Sequence, residues 1–349
     1  MKKLLFLILI ISSVQIGNAQ QSFLLTDGEP ALVYTLPKTE LCFEVMVEKV
    51  VEKPGIFYLY SQRYLATDKV ILEEKTSFNV KEIRVTGRSI PDVTRRFSVV
   101  PAEKSALRNI MVDGQGILCG VNCTPEKKVV EIKKEIVRED QFANLISRDI
   151  LPLTQEYMLA GSTAKLAEGA AKLIYDIRES RINLLTGEMD QLPSDGDALK
   201  IMLTGLDRKE KELTELFTGS RTMETSVHHL TIIPDSAQLE TILFRLSAKR
   251  GLVDKDDMGG EPFYISINPE KIQVRAADPK AKPVKIGLYT VLPAQTSIKI
   301  SDGVNTLLEK KFFIPQFGVL VPQPESLFKS QKVKVKVDVE TGRLMSIEN

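Results

Sequence analysis

The clearest pattern along the chain lies in residues 162–219, where apolar side chains recur about every 3.6 positions. This spacing puts them on one face of a helix and predicts two amphipathic helices in succession. Gly187 ends the first helix, and Ser194 caps the second, with Asp197 at the third helical position as in a capping box. A short loop between two such helices predicts an antiparallel hairpin.

Alternation of apolar and polar residues, which is typical of half-buried strands, precedes and follows the helices. Residues 20–137 are therefore predicted as one β-rich domain, in which Pro37 ends the first clear strand. Residues 138–219 are the helical region, and residues 220–349 are a second β-rich domain. The predicted class is α+β, with two sandwich- or barrel-like β domains joined by an α-helical hairpin.

Three local features refine the β segments. The alternation changes phase between Val80 and Ile83, which predicts a β-bulge or a break in the strand. Asp302 followed by Gly303, between two alternating runs, predicts a hairpin turn. Residues 332–339 alternate lysine or polar positions with valine, and such a lysine row is typical of a protected edge strand.

Residues 1–19 have the pattern of a secretory signal: a basic start at Lys2 and Lys3, an apolar run at 4–11, and the small Ala19 at the end. The apolar run is too short for a membrane span, which needs about 20 residues. We expect the signal to be removed, leaving no stable membrane span. The mature protein is therefore expected to be soluble and exported.

Overall charge argues against one class of partner. The chain has 47 basic and 46 acidic residues, a formal net charge of +1. That balance lacks the positive field with which proteins bind nucleic acid, so no nucleic-acid partner is predicted. Tryptophan is absent, which lowers the expectation of sugar stacking without excluding a glycan ligand.

The three cysteines are Cys42, Cys119 and Cys123. In an exported protein Cys119 and Cys123 are close enough in sequence to form a disulfide through a turn at Gly120. A metal-binding pair is the alternative, but no histidine lies near them in sequence. Cys42 falls in a predicted strand, where a buried, inert thiol is the simplest expectation.

Two further groups of residues are candidate sites. His228 and His229 are the only histidines, and neighbouring residues of a strand point to opposite faces, so they are not expected to share a metal ion. Arg178, Glu179 and Arg181 crowd one end of the first helix. Anion binding is conceivable for such a cluster, but a local ion-pair network is much commoner.

Residues 254–261 form the densest acidic loop. Asp254, Asp256 and Gly259 match the first, third and sixth positions of an EF-hand calcium loop. Met258 and Ile265 occupy the fifth and twelfth positions, so the bidentate carboxylate is missing. A solvated turn is the preferred interpretation.

Several motifs resemble one known family. They lie at residues 33–39, 177–187, 213–219, 243–245, 260–262 and 315–318. The chain resembles the exported family called domain of unknown function 4831, from gut and oral Bacteroidetes. The resemblance implies a Gram-negative envelope or secreted location, and it carries no established activity, so no residue role is transferred.

The sequence therefore predicts an exported, non-catalytic structural or partner-binding protein, with an unknown protein or glycan as partner. No catalytic, cofactor-binding or metal-binding residue is assigned. The alternatives are an envelope hydrolase whose carboxylates come from the 254–261 loop, or a protein that binds glycans or peptides along a sheet edge or groove. The loop carboxylates concerned are Asp254, Asp256, Asp257 and Glu261.

Overall fold

The computed structural model describes residues 22–24, 30–123, 155, 159, 161–188, 195–273 and 284–348. The described chain is mostly β, with three antiparallel sheets and two long helices. The β-rich character predicted from the alternation is confirmed. The predicted signal and the cap at Ser194 lie outside the described residues.

The described secondary structure comprises thirteen strands, three α-helices and three short 3-10 turns. The strands are β1 (Ser22–Leu24), β2 (Pro30–Lys53), β3 (Lys75–Val99), β4 (Ile110–Val112), β5 (Leu118–Val121), β6 (Ser220–Ile232), β7 (Gln238–Ser247), β8 (Gly251–Val253), β9 (Glu261–Pro269), β10 (Ile286–Ser301), β11 (Thr306–Pro324), β12 (Lys334–Val337) and β13 (Leu344–Glu348). The helices are α1 (Ser61–Leu65), α2 (Thr163–Thr186) and α3 (Gly196–Thr218), and the turns are Tyr58–Tyr60, Ala106–Asn109 and Glu325–Phe328.

The strands form three sheets. In the first sheet, β2 lies in the middle, with β3 along one edge and β6 and β1 along the other. The second sheet has the order β11-β10-β9-β7-β8, and the third has the order β13-β12-β5-β4. Strands from before and after the helices therefore share two of the three sheets, while the predicted domain boundaries stay predictions.

Strand β2 is longer than predicted, because Pro37 does not end it. The strand runs for 24 residues, and Pro37 lies opposite Pro91 of β3 just after a shift in register at Thr35. Proline has no N–H to donate to a ladder, so placing two prolines opposite each other at an irregular point removes little hydrogen bonding. The expectation of a strand end at Pro37 was wrong for this reason.

The predicted bulge and hairpin turn are both present. The β2–β3 register shifts between the pair Met46 and Glu82 and the pair Val47 and Val80, which leaves one extra residue on β3. Asp302 accepts hydrogen bonds from the backbone N–H of Val304 (2.8 Å) and of Asn305 (2.6 Å) in the β10–β11 turn. Asx turns of this kind are local, which is why the sequence predicts them well.

The lysine row does not mark an edge strand. Strand β12 has β13 on one side and β5 on the other, and its valines are buried while its lysines are exposed. The alternation therefore separates a solvent face from a core face. It says nothing about the position of the strand within its sheet, because the period of two reports only the face.

Three hydrophobic clusters hold the structure together, and β2 or its immediate continuation contributes to each. Leu41 and Phe43 belong to the first cluster, between the first and second sheets. Tyr34 and Leu36 belong to the second, which joins β2 and β10 to the third sheet. Phe57, just beyond β2, belongs to the third, at the base of the long helices.

A polar clamp lies at Thr39, between the first and second clusters along β2. The side-chain amide of Gln316 accepts a hydrogen bond from the N–H of Thr39 (2.8 Å) and donates one to its carbonyl (2.8 Å). Arg95 donates to the carbonyls of Pro315 (2.8 Å) and Gln316 (3.0 Å), and it lies 3.6 Å from the buried carboxylate of Asp92. The clamp satisfies backbone groups that would otherwise be buried without partners.

The clamp gives a first prediction. Replacing Gln316 by alanine leaves the buried N–H and C=O of Thr39 without these partners, which we expect to lower the free energy of unfolding by about 1–3 kcal/mol. Urea denaturation followed by circular dichroism measures the change. Gln115→Ala, at an exposed turn, is the control and should stay within about 0.5 kcal/mol of wild type. Equal stability of the two variants would contradict the clamp's role.

Candidate functional site

The strongest candidate for a binding site is the pair of long helices, α2 and α3, which we call the helical arm. They have 24 and 23 residues, so each is about 35 Å long. Gly187 follows α2 in the left-handed conformation (φ 78°), and Gly219 follows α3 (φ 89°), as the sequence predicts. The cap of α3 is Asp195, whose carboxylate accepts a hydrogen bond from the N–H of Asp197 (3.1 Å).

The base of the arm is packed against the connection between β2 and β3. Ala167, Ala170 and Ile174 of α2 are buried with Leu213 and Phe217 of α3. Phe217 contacts the ring of Phe57, with ring centroids 5.4 Å apart. Tyr60 and Tyr64 pack against the same cluster.

The last turn of α3 is fixed through its backbone. The carbonyls of Leu216 and Thr218 accept hydrogen bonds from the N–H groups of Phe57 (2.7 Å) and Ile71 (2.8 Å). A helix end leaves its last carbonyls without intrahelical partners, so these bonds satisfy them. Gly55 lies so close that a Cβ there would overlap the carbonyl oxygens of Leu216 and Glu215.

Ion pairs join the two helices farther along the arm. Glu210 of α3 accepts from Arg178 (2.7 Å) and lies 2.8 Å from Arg181, and its side chain is only 15% exposed. Arg181 also contacts Asp207 (2.8 Å), and the hydrogen bond to Asp207 is the main cause of a raised pKa for this guanidinium. The predicted arginine cluster is thus part of an ion-pair network between the helices.

Some charged residues of α3 pair within the helix and others do not. Arg208 lies 3.6 Å from Glu212, four residues later, as is common on a helix surface. Asp207 has Lys211 at the same spacing but contacts Arg181 of α2, and Lys211 lies 4.0 Å from Glu215. The spacing of charges along one helix does not predict which of them form ion pairs with a second helix.

The half of the arm away from the base exposes large apolar side chains. Ile182 is 57% exposed and Leu185 66% on α2, while Ile201 is 72% exposed and Met202 42% on α3. The periodicity puts Leu185 and Met202 on the buried faces, and that expectation was wrong for both. Ile182 and Ile201 lie outside the predicted apolar stripes. Each helix therefore has more apolar residues than one buried face can hold, and this feature of the sequence could have predicted the exposed apolar surface.

One face of α3 in this outer half carries small and charged residues beside Ile201. These residues repeat every three to four positions and therefore share one helix face. They are Asp197, Lys200, Ile201, Thr204, Gly205 and Arg208. The surface combines an exposed isoleucine with small and charged neighbours, as interaction surfaces on helices often do.

The acidic loop at 254–261 is held by local contacts. Asp257 lies 2.6 Å from the guanidinium of Arg250 and accepts from the N–H of Gly259 (2.9 Å). The bond from Gly259, with help from Arg250, lowers the pKa of Asp257 below its usual range. A general acid requires a raised pKa, so the environment of Asp257 does not suit that carboxylate to act as a general acid.

The remaining carboxylates of the loop give no ligand cluster. Asp254 accepts from the N–H of Asp256 (3.1 Å), and Arg245 donates to the carbonyls of Lys255 and Gly260. Within the described ranges, no group of three or more His, Cys, Asp or Glu side chains is arranged to hold a metal ion. The loop is therefore organised by backbone contacts, and Glu261 begins β9.

The two histidines lie on β6 next to β2. His228 is opposite Val45 and is half-buried, whereas His229 is opposite Glu44 and is exposed. The Nε2 atom of His228 lies 3.0 Å from the hydroxyl of Ser226. The two rings belong to opposite faces of the strand, as the sequence predicts.

All three cysteines are free in the structure. Cys119 is buried in β5, and burial raises its pKa to about 12, so the thiol stays protonated at neutral pH. Cys123 donates to the carbonyl of Cys119 (3.5 Å), so no disulfide joins the pair. Cys42 is partly exposed, not buried as expected, and desolvation also raises its pKa.

Comparison with known proteins decides the family. The profile of the domain of unknown function DUF4831 matches residues 31–345. The chain belongs to this family. No curated protein and no solved structure shows significant similarity to this chain. The family match spans the helical arm and all three sheets, and it attaches no activity to any of them.

Hydropathy adds one observation about the helices. None of those in the described segments is long and apolar enough to cross a lipid bilayer.

The anchoring of the arm gives a second prediction. Gly55→Ala should force the last turn of α3 away from the β2–β3 connection and lower the free energy of unfolding by about 1–3 kcal/mol. Thermal denaturation followed by circular dichroism at 222 nm measures this change in stability. Gly205→Ala is the matched control: no atom lies within 4 Å of its Cβ position, so it should stabilise α3 by about 0.5–1 kcal/mol. Stability unchanged by Gly55→Ala would contradict the anchoring contact.

Proposed function

We propose that this DUF4831 protein is an exported, non-catalytic partner-binding protein that contacts a protein of the cell envelope through the outer half of its helical arm. The proposal rests on the difference in burial between the base of the arm and its outer half. Its base is buried against the β2–β3 connection, whereas its outer half exposes Ile182, Leu185, Ile201 and Met202. Exposed apolar side chains that are concentrated in one part of a structure mark interaction surfaces more often than scattered ones do.

The rigidity of the arm supports this role. Its two helices are tied to each other by the Glu210 ion-pair network, and α3 is tied to the β structure through the carbonyls of Leu216 and Thr218. A surface that is held in one conformation before binding loses less conformational entropy when a partner docks. The arm is thus suited to present an apolar helix face to a complementary groove.

The proposed architecture is two β-rich modules that support this hairpin-shaped arm. The location proposed is outside the inner membrane, on the basis of the basic and apolar pattern in residues 1–19. For a hydrolase that uses the 254–261 loop, Asp257 is not suited to be the general acid, because it is paired with Arg250 and its pKa is lowered.

Site-specific photo-crosslinking tests the proposal. A benzophenone amino acid at Ile201, introduced in the organism that makes the protein, should give a discrete adduct with an envelope protein on irradiation. The same probe at Val304, which is 90% exposed on the β10–β11 turn, is the matched control and should give none.

A second variant makes the result specific to the apolar face. With the probe at Leu185, adding Ile201→Glu should remove at least about nine-tenths of the adduct, since a buried, unpaired carboxylate opposes docking. Identical adducts from positions 201 and 304, or an adduct unaffected by Ile201→Glu, would refute binding through the arm.

A further inference from the structure

Strand β6 presents a long and regular free edge. It pairs with β2 over thirteen consecutive positions, from Ser220 opposite Lys53 to Ile232 opposite Leu41, without a register shift. Within the part of the chain that the structure describes, no strand pairs with its other edge. In an antiparallel ladder alternate residues point their N–H and C=O groups to opposite sides, so this edge offers a row of hydrogen-bonding groups.

The other long edge strands carry features that oppose pairing. Strand β3 contains Pro91 and many charged side chains, and its register with β2 shifts twice. Strand β11 contains Pro315, Pro322 and Pro324, and its register with β10 shifts repeatedly. Prolines, charges and bulges are the usual means by which proteins prevent edge-to-edge association.

Strand β6 lacks these features over most of its length. Its two charged residues, Arg221 and Glu224, contact Glu52 (3.6 Å) and Lys49 (3.3 Å) of β2. Residues 225–232 contain no proline, lysine, arginine, aspartate or glutamate. They consist largely of threonine, valine, histidine, leucine and isoleucine, which suit a β-ladder. The edge is therefore open to an added strand.

We infer that the free edge of β6 is a dimer interface, at which β6 of a second copy adds antiparallel, with Ser226 opposite Ser226 of that copy. Ser226 is the midpoint of the strand, so this register uses all thirteen residues. It is isologous, as the commonest homodimer contacts are. The dimer goes beyond the proposed function and is independent of the arm.

Side-chain complementarity selects a second copy as the occupant. In this register Glu224 lies opposite His228 of the second copy, which pairs a carboxylate acceptor with an imidazole donor twice in each dimer. Thr225 lies opposite Val227, and Arg221 lies opposite Thr231. No like charges face each other, and directly opposite residues belong to the same face of the extended sheet.

Two double variants test both the interface and its register. Thr225 and Val227 are exposed, so charges there leave the folded monomer intact. Thr225→Lys with Val227→Lys places like charges opposite each other across the interface, whereas Thr225→Glu with Val227→Lys places opposite charges there. Sedimentation velocity over a range of protein concentrations should show dimers for wild type and the Glu/Lys variant, and at least tenfold weaker association for the Lys/Lys variant.

A cysteine at the two-fold axis gives a second measurement. Ser226→Cys should form a disulfide-linked dimer under mild oxidation. Thr231→Cys, which would lie opposite Arg221, should not exceed the background from wild type with its native Cys42 and Cys123. The proposal is overturned if wild type stays monomeric, if both double variants associate equally, or if the two cysteine variants crosslink alike.

Discussion

The structure depends on one long strand, β2, which together with the residues just beyond it contributes to three hydrophobic clusters. Strand β2 contributes Tyr34 and Leu36 to one cluster and Leu41 and Phe43 to the next, and the chain just beyond it contributes Phe57 to the third. Burying each such aromatic or aliphatic side chain contributes about 1.5–3 kcal/mol. The clusters are consequently connected through a continuous hydrogen-bonded backbone, and the clamp at Thr39 fixes the point where two of them meet.

This arrangement explains how a helical arm can extend from a β structure. Two amphipathic helices bury little surface on their own. Here the base of the arm completes a cluster with Phe57, and the β2–β3 connection supplies hydrogen-bond donors to the last carbonyls of α3. Stability is concentrated at the base, so the outer half is free to carry exposed apolar side chains without loss of the fold.

Features that depend on local chemistry were predictable from the sequence. The glycines that end the two helices, the turn at Asp302, the bulge near Val80 and the opposite faces of His228 and His229 follow from backbone conformation or from a period of two. The candidate site was only partly predictable. Periodicity located both helices, but it assigned Leu185 and Met202 to buried faces.

Features that depend on distant partners were not predictable. Pro37 is tolerated because Pro91 lies opposite it, and the lysine strand is internal because β5 from far earlier in the chain pairs with it. Asp207 contacts a helix that its own spacing cannot reveal. In each case the deciding contact joins segments that are widely separated in sequence, so tertiary structure overrides the local pattern.

The central claim is that β2 couples the first two clusters, to which it contributes Leu41 and Phe43, and Tyr34 and Leu36, respectively. Native-state hydrogen exchange, measured amide by amide along residues 34–50 in increasing denaturant, tests it most directly. If the claim holds, the protected amides of Tyr34, Leu36, Phe43 and Val45 should converge on one opening free energy equal to that of global unfolding. If the amides of Tyr34 and Leu36 open in a separate step, with an opening free energy well below that of Phe43 and Val45, the clusters are independent and the account is contradicted.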